Sequence, residues 1–108
     1  MKSRSSIAPF LAFVLIVSLP CLALAGDTAA TFNSRCAPCH ARDGSGNTPM
    51  GKKVGAKALG SPEVQKLNDA DLQKTITSGK GKMPEFGTKL SPEQIGEVVK
   101  LIRGFAAK

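Results

Sequence analysis

The chain has no tryptophan and no tyrosine, a single histidine and three cysteines in 108 residues. That length is enough for one domain and excludes a multidomain enzyme. Apolar residues are crowded at one end, with 17 of the 45 falling in residues 1–25. From Gly26 onward only 15 of 83 residues are Leu, Ile, Val or Phe, which is below the ~20% at which chains with substantial net charge tend towards disorder. The same segment holds 11 Gly and 5 Pro. A domain of this size has little stability to spare, so some staple must complete the interior: a disulfide framework, a metal or another group. Only three aromatic residues follow residue 25, which makes nucleic acid a poor candidate partner. No strand-like alternation occurs there either.

The crowded end has an explanation of its own. Lys2 and Arg4 precede an apolar run from Phe10 to Leu19, followed by Pro20 and then Ala23-Leu24-Ala25 before Gly26. A basic head, a short apolar stretch and small residues at a cleavage point are the parts of a secretory signal peptide. Residues 1–25 are therefore read as a leader cleaved after Ala25, and 26–108 as the working domain. The alternative is an uncleaved anchor, since Ile7 to Ala25 is 19 residues and just long enough to span a bilayer if Pro9, Ser18 and Pro20 are tolerated. Cys21 follows Pro20, where a lipidation signal has a small residue, and it leaves with the leader. The mature chain then carries 13 Lys and Arg against 8 Asp and Glu and keeps Cys36 and Cys39 alone.

Those two cysteines lie in Cys36-Ala37-Pro38-Cys39-His40, a C-x-x-C-H sequence of the kind to which a c-type haem is attached. On a helix, residues three apart share a face, so both sulfurs can reach the two vinyl groups along one porphyrin edge. His40 follows directly and is placed to ligate the iron, the role histidine most often takes in haem proteins. A large apolar ring held covalently would supply the missing core. Three other uses of the pair remain open at this point. A redox-active C-x-x-C belongs near a βαβ pattern, a zinc site needs four ligands, and a disulfide between residues three apart closes too small a loop to stabilise much.

A second axial ligand can be sought among thioethers, and the mature chain offers Met50 and Met83. Met83 lies 43 residues beyond His40, far enough for the chain to wrap the ring and return on its other face. Met50 is only ten residues away and is expected to pack against the haem. Helices are expected from about Asp27 into the haem site, in a short turn at Ser61-Pro62-Glu63, from Asn68 to Thr77, and from Ser91 onward. The last has an N-cap serine, Pro92 at its first position, Gln94 completing a capping box, and Ile95, Val98, Val99, Ile102 and Phe105 at helical spacing.

The haem motif, Gly81-Lys82-Met83-Pro84 downstream of it, and the C-terminal helix opening at Ser91-Pro92-Glu93-Gln94 occur in an order that resembles the small class I cytochromes c of bacteria, over essentially the whole mature length. The resemblance implies an all-α, compact fold of three to four helices wrapped around one covalently attached haem c. It implies Cys36 and Cys39 as thioether positions and His40 and Met83 as iron ligands. It also implies that Asn47-Thr48-Pro49-Met50-Gly51 is the loop beneath the proximal histidine, with the Pro49 carbonyl accepting the other ring N–H of His40. Thr28 stands where the family usually has glycine and Leu101 where it usually has tyrosine, an exchange of bulk that is expected to compensate. Haem propionates often meet a Trp or Tyr in relatives. Here backbone amides and lysines near Gly51-Lys52-Lys53 are the candidates.

An iron with both axial positions filled leaves one-electron transfer as its available chemistry, and no acid–base pair or nucleophile can be read from the residues. The expected function is a soluble, exported, periplasmic electron carrier and not an enzyme, monomeric and without a membrane span after cleavage. Lys52, Lys53, Lys57, Lys80 and Lys82 suggest transient docking to redox proteins with acidic surfaces. The alternative is a haem protein that binds a small ligand or reduces peroxide with the Met83 side open. A third possibility is an exported thiol-disulfide protein without haem.

Overall fold

The computed structural model describes residues 12, 14–16 and 23–106. Six helical segments follow one another: α1 Ala23–Arg35, α2 Ala37–His40, α3 Pro49–Val54, α4 Pro62–Gln65, α5 Asp69–Ser78 and α6 Pro92–Arg103. No named strand occurs among the described residues, and the single β-bridge there joins Lys80 to Met83. The architecture is all-α, with three helices of ten or more residues and three short ones. Most of the leader expected over residues 1–25 lies outside the described residues. Of the part described, Val14, Leu15 and Ile16 are exposed, and the expected processing point after Ala25 falls within α1. No described helix is long and apolar enough to cross a membrane.

Local sequence explains where each helix starts and stops. Pro38 has no N–H to give to the preceding turn, so α1 and α2 are separate segments joined through Cys36. The chain still turns helically there, since Cys36 N–H donates to the Phe32 carbonyl at 2.9 Å and His40 N–H to the Cys36 carbonyl at 2.8 Å. Four helices open on a polar N-cap. Thr48 accepts from Gly51 N–H, Ser61 from Val64 N–H, Asn68 from Asp71 N–H and Ser91 from Gln94 N–H. At Ser91 the capping box is complete, with Ser91 N–H donating back to the Gln94 side chain at 2.8 Å. The short α3 was not among the expected helices, although Thr48-Pro49 is an N-cap followed by a first-turn proline.

The α6 helix is the axis of packing. Its Ile95, Val98, Val99 and Ile102, with Phe105 just beyond its end, are all buried, as the periodicity requires. Val98 and Val99 are 1% exposed and Phe32 of α1 is 2% exposed, so α1 and α6 meet at the tightest part of the core. The Phe32 and Phe105 rings lie 5.4 Å apart between centroids at 47°, a tilted aromatic pair. Leu72 and Ile76 close the α5 side. The far end of α6 is tied down by polar contacts. Arg103 donates to the Asp69 carboxylate at 3.0 and 2.9 Å and to the Gln65 carbonyl at 2.8 Å, while Gln65 Nε2 donates to the Leu59 and Ile102 carbonyls. These contacts fasten α4 and α5 around α6 and leave a hollow on the face between α2 and the Met83 loop.

Candidate haem site

That hollow is a cavity of about 530 Å³, within the usual range for ligand sites of ~300–1,000 Å³. Cys36, Cys39, His40 and Met83 all line it, and apolar side chains such as Leu59, Leu72, Ile76 and Phe86 make most of the remaining wall. Both cysteines are half-buried and are not joined to each other. Burial first, and Cys39 second, pushes the Cys36 thiol up to about 11. At neutral pH it is therefore a protonated thiol. Thiol-disulfide oxidoreductases depend on the opposite shift, a lowered pKa that makes a thiolate available.

His40 ends the short α2, and its Nδ1 lies 3.1 Å from the Lys57 carbonyl oxygen. A carbonyl can only accept, so Nδ1 carries the proton and Nε2 presents its lone pair, the tautomer a metal-ligating histidine needs. This corrects the sequence-based expectation for Pro49. The proline starts α3, is exposed and does not line the cavity, and the ring of His40 turns to the loop after α3 instead. Met50, expected to pack against the haem, is 49% exposed and also lies off the cavity wall.

What α3 does is hold the Cys39 segment in place. The Thr48 hydroxyl lies 2.8 Å from the Pro38 carbonyl and 3.1 Å from that of Cys39, while accepting the Gly51 N–H at 2.8 Å. Gly51 has to be glycine for reasons of space: a Cβ there would sit 2.2 Å from the Cys39 carbonyl oxygen and 2.4 Å from that of Gly46. The sequence placed Thr48 and Gly51 in the loop beneath the proximal histidine, but not their role in holding the Cys39 segment, although the N-cap signature at Thr48 was there to be read.

In the loop after α5, Met83 is half-buried, packed against the core and held in a tight turn. Lys80 and Met83 exchange two backbone hydrogen bonds, at 3.1 and 2.9 Å. The turn is launched by Gly79, whose φ of 74° and ψ of 172° lie in a region essentially reserved for glycine. The loop beyond is fastened to α5 by Phe86 N–H to the Ile76 carbonyl at 3.0 Å and Gly87 N–H to the Thr77 carbonyl at 3.1 Å. The side chain of Met83 is thus carried by backbone that has little freedom to move. Lys57, Lys66, Lys80 and Lys82 line the cavity, whereas Lys52 and Lys53, expected near the propionates, do not.

Two sulfurs three residues apart, a histidine with Nε2 free and a thioether from another part of the chain, all on the wall of one largely apolar cavity, fit a covalently attached haem. Comparison with known proteins agrees. Residues 23–102 match the family model described as cytochrome C oxidase, cbb3-type, subunit III. The chain is similar to cytochrome c6 of Thermosynechococcus vestitus, at 35% identity over 100% of this chain and 96% of that one. It is also similar to cytochrome c6 of Gloeothece citriformis, at 36% identity over 78% of this chain and 74% of the relative. Among solved structures, the KustC0563 c-type cytochrome superposes with a TM-score of 0.68 at 31% identity, covering 73% of this chain and 96% of that chain. The chain belongs to the small class I c-type cytochromes, whose cofactor is one covalently bound haem c.

Proposed function

We propose that this protein is an exported one-electron carrier in which Cys36 and Cys39 hold the haem by thioether bonds and His40 and Met83 are its axial ligands. The observation that supports this most directly is that His40 and Met83 line the same cavity as both cysteines while coming from separate elements. Bound there, the haem supplies one-electron redox chemistry at its iron. The chain's own part is to keep that chemistry simple. The Lys57 carbonyl sets the His40 tautomer, and the Gly79 turn and its ties to α5 deliver the thioether. Were His40 and Met83 both to ligate the iron, no position would be left on it for a substrate, which would be the chemistry of a carrier. The relatives named cytochrome c6 accord with it.

The absorption spectrum of the purified holoprotein tests this. A far-red thioether-to-iron band in the ferric state, together with a ferrous spectrum unchanged by carbon monoxide, is the expected result. A carbon monoxide adduct would replace the carrier reading with ligand binding or peroxide reduction on the Met83 side.

Lys52, Lys53 and Lys82 are exposed, positive charge suited to brief encounters with acidic redox proteins. Electron-transfer rates with such a partner should fall steeply with added salt. A flat response would leave the lysines a role in solubility alone. Export rests on the leader over residues 1–25, with the periplasm as destination and a monomer as the working form of 26–108. N-terminal sequencing of the secreted protein should begin at Gly26, and a sequence starting upstream of the leader's apolar run would mean a retained anchor.

A further inference from the structure

A haem brings two carboxylates of its own, and this chain has no Trp or Tyr to receive them. On the porphyrin the propionates leave from the edge opposite the vinyl carbons. Once Cys36 and Cys39 hold the vinyl edge, the carboxylates must be met by side chains away from that motif, which excludes Arg35.

Lys57, Glu63, Lys66 and Lys80 all line the cavity and come from three different segments: the loop after α3, α4 with the residue that ends it, and the loop after α5. The Lys57 ammonium lies 2.6 Å from the Glu63 carboxylate. That hydrogen bond and the Lys57 charge hold Glu63 below the usual carboxylate range, and the charges of Lys66 and Lys80 add to the effect through space. Lys57 belongs to the wall that carries His40, because its carbonyl receives the ring N–H. Lys80 belongs to the wall that carries Met83, because the two are paired through their backbones. Lys57 and Glu63 are in contact and share the wall of one cavity with Lys66 and Lys80, so charged groups from both walls face the same space. Lys57, Lys66 and Lys80 against Glu63 leave a net charge of +2 in this cluster, with Lys82 a further cation on the cavity wall, so positive charge suffices for two propionates.

We propose that Lys57, Lys66 and Lys80, with Glu63 steadying Lys57, form the receptor for the haem propionates. The assignment rests on the covalent haem of the carrier reading and goes beyond it by naming the groups that neutralise its carboxylates. A lysine beside a propionate offsets negative charge near the iron, so removing it favours the ferric state and lowers the reduction potential. Removing Glu63 does the reverse.

The test uses the holoprotein at low ionic strength, where exposed charges are least screened. Reduction potentials and resonance Raman propionate bending bands are measured for Lys66→Gln, Lys80→Gln, their double variant and Glu63→Gln, with the exposed α5 residue Lys74→Gln as the comparison. The expected result is a lowered potential in each lysine variant, lowest in the double, a raised potential in Glu63→Gln, and shifted propionate bands. Lys74→Gln should change neither. Potentials in the double variant equal to those of Lys74→Gln, with unmoved bands, would overturn the assignment. The far-red thioether band separates this failure from failure of the carrier reading, because the latter would show as its loss in the unsubstituted protein.

Discussion

Ala41 is the one non-glycine residue with a positive φ among the described residues, at φ 63° and ψ 159° directly after His40. That conformation is close to glycine-only space and costs an L-residue ~1–3 kcal/mol. Ala41→Gly relieves it against a smaller entropic loss in the unfolded chain. The expected outcome is a gain of about 1 kcal/mol in chemical denaturation of the holoprotein, and a loss of stability would show that the turn is not strained. Gly96 presents the opposite case. It lies inside α6, and a Cβ there would meet nothing nearer than Gln73 Nε2 at 4.0 Å. Since glycine costs a helix interior up to about 1 kcal/mol relative to alanine, Gly96→Ala should stabilise by a similar amount, read from the thermal midpoint. Nothing in the packing explains this glycine. Gly79→Ala differs from both, because its φ of 74° and a Cβ placed 2.6 Å from the Met83 carbonyl oxygen forbid the substitution on two grounds. The turn should open, and the far-red thioether band should weaken or vanish while the haem stays attached.

At the scale of the elements, the short α3 matters more than its length suggests. Its N-cap Thr48 contacts the carbonyls of Pro38 and Cys39, so one hydroxyl links the start of a helix to the haem-attachment segment. Thr48→Ala should cost about 1–2 kcal/mol and speed hydrogen exchange at the Gly51 amide, with Thr48→Ser recovering most of the loss. An unchanged exchange rate would mean the cap is idle. The crossing of α1 and α6 was expected to turn on Thr28 and Leu101 exchanging bulk. Both are half-buried, and the fully buried contact lies elsewhere, in Phe32 against Phe105. Thr28→Gly should still destabilise by opening a gap. Phe105→Ala should cost more, about 3–5 kcal/mol by analogy with other core aromatics.

For the molecule as a whole, the decisive feature is that the cavity lined by Cys36, Cys39, His40 and Met83 lies where a core would otherwise be. Without a haem, apolar side chains such as Leu59, Leu72, Ile76 and Phe86 would face water across a cavity of about 530 Å³, a loss of burial that a small domain of marginal stability can ill sustain. A Cys36→Ala, Cys39→Ala double variant made without haem attachment should therefore show no cooperative thermal unfolding by near-ultraviolet and far-ultraviolet circular dichroism. A sharp transition would mean the helices sustain themselves. The shortage of large apolar residues and the size of the cavity are two aspects of one fact, a chain composed to fold around a group it does not encode.

The buried face of α6, the helix starts near Ser61, Asn68 and Ser91 and the haem-attachment motif were legible from the residues, and the all-α architecture from the resemblance those residues carry. Each depends on neighbours within a few positions, through helical periodicity, capping or the reach of two sulfurs across one turn. The tertiary structure decided what depends on distant meetings. The Lys57 carbonyl, 17 residues from His40, takes the ring proton that Pro49 was expected to receive. Thr48 and Gly51 turn out to support Cys39, Met50 faces solvent, and of the five lysines named from sequence Lys57, Lys80 and Lys82 line the cavity while Lys52 and Lys53 do not, with Lys66 added. Periodicity states which face of a segment is apolar. It does not state which carbonyl or ammonium from elsewhere in the chain the folded backbone will bring up against that face.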